Sequence, residues 1–121
     1  MACQIITLTT DFGNDSPYVA QVKASILAIN PEGTIVDITH AIAPQNIEHA
    51  AIVLQDTLAH FPQGTIHVAV VDPGVGTTRP ILVSQFGNQL VVSPDNGLLS
   101  GLAQTAEPTL LFQVTNRKLW N

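Results

Sequence analysis

Two hydrophobic periods alternate along the first two thirds of the chain. Ile5-Ile6-Thr7-Leu8-Thr9 is short, apolar and β-branched, the signature of a buried strand. A polar, glycine-containing loop, Thr10-Asp11-Phe12-Gly13-Asn14-Asp15, follows it. Ser16-Pro17 then supplies an N-cap and a first helical residue. Val22, Ile26 and Ile29 recur at helical spacing until Asn30-Pro31-Glu32-Gly33 stops the helix. Thr34 to Ile38 reads as a second strand, running out in Thr39-His40. After a loop from Ala41 to Gln45, the residues Ile47, Ala51, Leu54, Leu58 and Phe61 line one face of a second helix. Pro62-Gln63-Gly64 ends that helix, and Ile66 to Val71 forms a third apolar strand.

Strand, helix, strand, helix, strand is the pattern of a parallel sheet with right-handed crossovers. Beyond Arg79 the pattern changes. Ile81 to Phe86 and Gln89 to Ser93 are two strands joined by Gly87-Asn88, a two-residue hairpin signal. Pro94-Asp95-Asn96-Gly97 turns into a short helix from Leu98 to Gln104, and Thr109 to Val114 is a last strand. The expected fold is therefore α/β: a three-layer sandwich whose mostly parallel central sheet is flanked by helices and extended by a β-hairpin. Residues 1–121 form one such domain, without repeats, low-complexity tracts or an internal linker. The segment Arg117-Lys118-Leu119-Trp120-Asn121 carries no stop signal and leaves a large aromatic at the terminus, so the chain reads as part of a longer polypeptide.

Composition narrows the functional classes. With 45% hydrophobic residues and only 11% charged ones, the chain is not a disordered one. A net charge of −5 with four Lys and Arg argues against a nucleic-acid footprint. No apolar run approaches a membrane span, and no basic region with an apolar signal core opens the chain. The single Cys3 excludes an internal disulfide framework and points to a reducing cytoplasm. His40, His49, His60 and His67 show no zinc-type spacing with it, so no metal site is expected.

The candidate chemistry collects where the parallel strands should end: Asp11, the stretch Asp37 to His40, Asp72, and Asp95-Asn96. Each cluster alone reads first as turn chemistry, because Asp and Asn bond their own backbone. Their shared edge is what points to a ligand, since carboxylates crowded on one rim repel unless a ligand or cation meets them. The third strand breaks into Asp72-Pro73-Gly74-Val75-Gly76-Thr77-Thr78-Arg79, a stiff loop offering one carboxylate and one guanidinium within eight positions. His40 reads as a turn cap or a carbonyl partner before it reads as catalytic. His49, His60 and His67 read as helix-surface or strand-surface residues, and Phe12 and Tyr18 as packing residues. The Pro-Gly-Val-Gly turn is neither a P-loop nor a dinucleotide fingerprint, and no nucleophile elbow is present.

The ordered set Thr9-Thr10-Asp11-Phe12-Gly13, Asp37-Ile38-Thr39-His40, Val71-Asp72-Pro73-Gly74-Val75-Gly76-Thr77 and Pro94-Asp95-Asn96-Gly97 resembles the S-adenosyl-L-methionine (SAM) hydrolases. These are also called SAM hydroxide adenosyltransferases and are related to the SAM-dependent fluorinase and chlorinase. The resemblance covers essentially the whole chain. It implies attack of water or hydroxide at C5′ of the adenosyl group, giving adenosine and L-methionine, with SAM as substrate and no cofactor.

By the same resemblance, Asp72 and Arg79 are the catalytic pair that orients the attacking water, and Asp11 is the carboxylate that receives the ribose hydroxyls. Phe12, Gln45 and Pro73 fall where the family contacts the adenosyl group. The family's third catalytic member, a His beyond Asn121, has no counterpart among the four histidines present. Its C-terminal β-barrel domain is absent too, so little turnover is expected of these residues alone. Family members assemble as trimers, which implies a homo-oligomer here. Halogenases replace the Asp72 position and insert a loop near Gly87-Asn88; this sequence does neither. Two other readings stay open: a non-catalytic adenosine- or SAM-binding oligomeric module, and a metal-assisted phosphohydrolase using the acidic rim.

Overall fold

The computed structural model describes residues 4–13, 16–43, 46–71, 81–94 and 98, and the backbone of 110–113. Among these residues the elements follow in the order β1 (Ile5–Thr10), α1 (Pro17–Ile29), β2 (Thr34–Thr39), α2 (Ile47–His60), β3 (Ile66–Val70), β4 (Ile81–Phe86), β5 (Gln89–Pro94) and β6 (Leu110–Gln113). The six strands make one sheet in the order β2-β1-β3-β5-β4-β6. β1 pairs in parallel with β2 and β3, and β3 with β5, whereas β4 runs antiparallel to β5 and β6. Five strands therefore share one direction and β4 alone opposes them, as the Gly87-Asn88 hairpin predicts: Phe86 and Gln89 face each other across it. The helix expected over 98–104 lies outside the described residues, apart from the buried Leu98.

Local chemistry explains the element boundaries. Ser16 caps α1 through its hydroxyl, which accepts from the Tyr18 amide, and Pro17 occupies the first turn. Asn46 does the same for α2, accepting from His49, with Glu48 in the first turn and His60 in the last, as the helix dipole favours.

The two sheet faces are covered unequally. α2 lies over the face formed by Thr7, Thr9, His67, Ala69, Gln89 and Val91. Ala50, Ala51 and Leu54 of that helix are buried with Ile42, Ala69, Val71, Phe86, Val91 and Leu98 in one core cluster. Ile47 and Leu58 pack at its margin, so the helical stripe read from the sequence is the packed one. α1 belongs to the opposite face, where Ile6 and Leu8 are buried outside that cluster. Its apolar positions are less committed. α1 has no buried residue; Val22 and Ile26 are half-buried, and Ile29, expected to share their stripe, is 86% exposed. The reason lies in composition: α1 is apolar nearly all round, so its sequence does not single out one face.

Candidate active site at the carboxyl edge of the sheet

The strand order brings the carboxyl ends of β2, β1, β3 and β5 to one edge. These four strands are neighbours and parallel, so their carboxyl ends lie on the same side of the sheet. The chain turns from β1 toward β2 in one direction and beyond β3 in the other, which makes the boundary between β1 and β3 the switch point of the sheet. In open α/β sheets that crevice is where ligands bind. Asp11 directly follows β1, and β3 runs through the buried Val71 toward Asp72. The described residues thus place Asp11 and Phe12 at the switch point. Gln45, Asp72, Pro73, Arg79, Asp95 and Asn96 lie outside them.

The loop after β1 is tightly held. Phe12 N–H donates to Thr10 Oγ1 at 3.2 Å, and Gly13 N–H donates to the His40 carbonyl at 2.8 Å. Gly13 has φ +89°, a conformation that L side chains rarely adopt, and this lets its amide turn toward β2. On the other side Ile42 N–H donates to the Thr10 carbonyl at 3.3 Å. Phe12 and Tyr18 meet edge to face at 5.9 Å, with the Tyr18 side chain largely exposed. Asp11 is half-buried in this loop.

The stretch Asp37 to His40 is more organised than its sequence suggests. His40 is buried, and its ring bridges Asp37 Oδ1 through Nε2 at 2.7 Å and Thr10 Oγ1 through Nδ1 at 2.8 Å. Lys23 of α1 donates to the second oxygen of Asp37 at 2.6 Å. The Lys23 ammonium, with a smaller contribution from His40, holds the Asp37 carboxyl below its usual range against a partial desolvation. The turn-cap or carbonyl role read for the His40 side chain is therefore corrected: the ring joins a carboxylate to a hydroxyl, and it is the backbone carbonyl that serves the loop.

His67 also departs from its sequence reading. It is not a strand-surface residue but fully buried beneath α2. Its Nδ1 meets Thr7 Oγ1 at 2.7 Å, its Nε2 meets Gln89 Oε1 at 2.7 Å, and the Gln89 amide donates to the Leu58 carbonyl at 2.9 Å. Phe61 stands edge-on to the ring. Burial lowers the His67 pKa, with a smaller opposing effect from the Gln89 bond. Alternation alone carried the signal, since His67 shares the inward parity of Ala69; the polar side chain obscured it. Two more hydroxyls on this face, Thr9 Oγ1 and Ser93 Oγ, are buried without a hydrogen-bond partner among the described residues.

Comparison with known proteins decides the family. The profile of the SAM hydroxide adenosyltransferase N-terminal domain matches residues 6–121. The chain belongs to that family. An (R)-S-adenosyl-L-methionine hydrolase of Methanocaldococcus jannaschii is 45% identical over 105 residues, covering 83% of this chain and 40% of that protein. A crystal structure of an uncharacterized conserved protein from Thermotoga maritima superposes with a TM-score of 0.87 at 40% identity, covering 94% of this chain and 44% of the other. A fluorinase of Actinoplanes is more distant, at 28% identity, covering 95% of this chain and 46% of its own. That alignment runs over 138 residues against a chain of 121, so the fluorinase carries residues inserted within the matched region. The chain spans less than half the length of these relatives.

Proposed function

We propose that this chain carries the nucleoside-binding part of an enzyme that hydrolyses S-adenosyl-L-methionine to adenosine and L-methionine. The observation that carries the reading is the Asp11 loop, pinned at the switch point of the sheet, in a chain 45% identical to a hydrolase of this name. In this reading the Asp11 carboxylate receives the ribose 2′- and 3′-hydroxyls, and Phe12, Gln45 and Pro73 contact the adenosyl group. A single anionic acceptor suits two neighbouring hydroxyl donors.

Asp72 and Arg79 act on the water. The guanidinium stabilises the developing hydroxide, and Asp72 orients the pair. The new bond forms between the water oxygen and C5′ while the C5′–S bond breaks. Its electron pair returns to sulfur, which leaves as the neutral thioether of methionine, and the water's proton passes to solvent. Because the sulfonium is already a good leaving group, the protein has mainly to position a weak nucleophile in line with it, and no cofactor is required. The absence from this chain of the residues inserted in the fluorinase supports water over halide as the nucleophile. The reading further includes a cytoplasmic homotrimer, and full turnover only with the additional length that the relatives carry.

The test is incubation of the chain with SAM, alone and extended to the relatives' full length, with mass spectrometry for both products. The extended protein is expected to release adenosine and methionine in equal amounts. Asp72→Ala and Arg79→Ala in it are expected to lower kcat by roughly a hundredfold or more, the scale of losing an aligned charge at the reacting centre. A folded, extended protein that releases neither product would overturn the reading and leave a binding module in its place.

A further inference from the structure

We propose that His40 is a positioning residue for substrate binding: with Asp37 and Lys23 it sets the Thr10 hydroxyl that holds the Asp11-Phe12-Gly13 loop. This rests on the reading of Asp11 as the ribose acceptor.

The first support is a register break. β1 and β2 pair Leu8 with Asp37 but Thr9 with Thr39, so Ile38 is an extra residue in β2. In a regular strand, positions three apart point to opposite faces. The bulge resets the alternation, and Asp37 and His40 both fall on the α1 face, the face of Leu8 and Thr10. Only there can one imidazole reach Asp37 and Thr10 while Lys23 descends from α1 onto the same carboxylate. Bulges recur beside active sites because they re-aim a side chain in this way.

The second support is the direction of the hydrogen bonds. Asp37 is a carboxylate and only accepts, so His40 Nε2 carries a proton toward it. In the neutral ring Nδ1 then accepts, and the Thr10 hydroxyl donates to it. That choice turns a Thr10 lone pair toward the Phe12 amide, which donates to it, while the His40 carbonyl receives the next free amide, that of Gly13. A single residue thus secures both amides that flank the turn after Asp11, one through its ring and one through its backbone. The ring does not stand at the reacting centre; it acts on substrate through Thr10. Its effect belongs to binding rather than to the chemical step.

Full-length protein carrying His40→Ala, Thr10→Val, Thr10→Ser or Asp11→Asn separates the possibilities. Steady-state kinetics with SAM and amide hydrogen exchange over the Phe12–Gly13 peptide are measured for each. His40→Ala and Thr10→Val are expected to raise KM about tenfold with kcat within threefold of the parent, and to speed exchange of that peptide about tenfold. Thr10→Ser, which keeps the hydroxyl, is expected to stay within about twofold on both counts. Unchanged KM and exchange in His40→Ala would overturn the proposal, as would a fall in kcat at constant KM, which would place His40 on the water instead. Asp11→Asn with an unchanged KM would overturn the ribose reading itself. An Asp11→Asn that weakens binding beside a neutral His40→Ala refutes only the positioning role.

Discussion

His40 and His67 are built alike and used differently. Each lies against β1, meets a threonine hydroxyl of that strand through Nδ1, and directs Nε2 at a side-chain oxygen. The hydroxyl is Thr10 at the carboxyl edge for one and Thr7 in mid-strand for the other, on opposite faces of the sheet. The partners beyond the ring diverge. His67 ends on the neutral amide of Gln89, itself tied to the Leu58 carbonyl, so the Thr7-His67-Gln89 network is bonded without charge beneath α2. His40 ends on a carboxylate that also holds the ammonium of Lys23, with about a third or more of each of those side chains in solvent. A neutral acceptor suits a dry core, where charge is costly, and an ion pair suits a rim. The first network joins α2 to the sheet; the second joins α1 and β2 to the candidate substrate loop.

Removing the buried ring should show the largest effect. His67→Ala strands the Thr7 hydroxyl and the Gln89 carbonyl oxygen in the core and opens a void, and is expected to cost about 3 kcal/mol in denaturant unfolding. A cost below about 1 kcal/mol would mean that the network is ornamental and the two histidines are not distinguished by burial.

Acid provides a second contrast. The His67 pKa is lowered on folding, so the unfolded chain binds the proton more readily than the folded one. Stability is therefore fully present above the unfolded value of 6.5 and declines as pH falls below it. Asp37 works in the same direction but lower on the scale: its depressed pKa leaves its contribution intact above the ordinary 3.8, and that contribution is lost as pH falls through the folded value. Unfolding midpoints followed from pH 8 to pH 3 should thus decline first below 6.5, and that first slope should vanish in His67→Ala.

Smaller effects sharpen the rim side of the comparison. Asp37→Asn keeps an acceptor for His40 but loses the ion pair with Lys23, and is expected to cost about 0.5 kcal/mol, as exposed pairs do. The smallest change is Thr9→Val. The Thr9 hydroxyl is buried without a partner among the described residues, so an apolar isostere is expected to be neutral or to stabilise by up to about 1 kcal/mol in thermal unfolding. A loss of 2 kcal/mol or more would reveal a hidden acceptor for that hydroxyl.

Local pattern determined much of this protein by itself. The β-branched runs at Ile5, Thr34 and Ile66, the caps at Ser16 and Asn30, and the Gly87-Asn88 turn place the strands and helices within a residue or two of where they lie. These are decisions made by neighbouring residues, through turn chemistry and the periods of two and 3.6, so they are written locally. The gathering of Asp11 and the Asp37–His40 stretch at strand ends was legible for the same reason, and the ordered set of motifs pointed to the family that the comparisons show.

What only the tertiary structure decided depends on partners far apart in sequence. The order β2-β1-β3, which sets the switch point between β1 and β3, follows from how crossovers pack and not from any one segment. The extra residue at Ile38 is invisible without the register against β1, yet it turns His40 toward Thr10. His67 looked like a surface residue because its compensating groups lie 60 and 22 positions away, on Thr7 and Gln89. A buried polar side chain is permitted only by such distant partners, and a sequence read locally shows the cost of burying it but not the bonds that offset that cost.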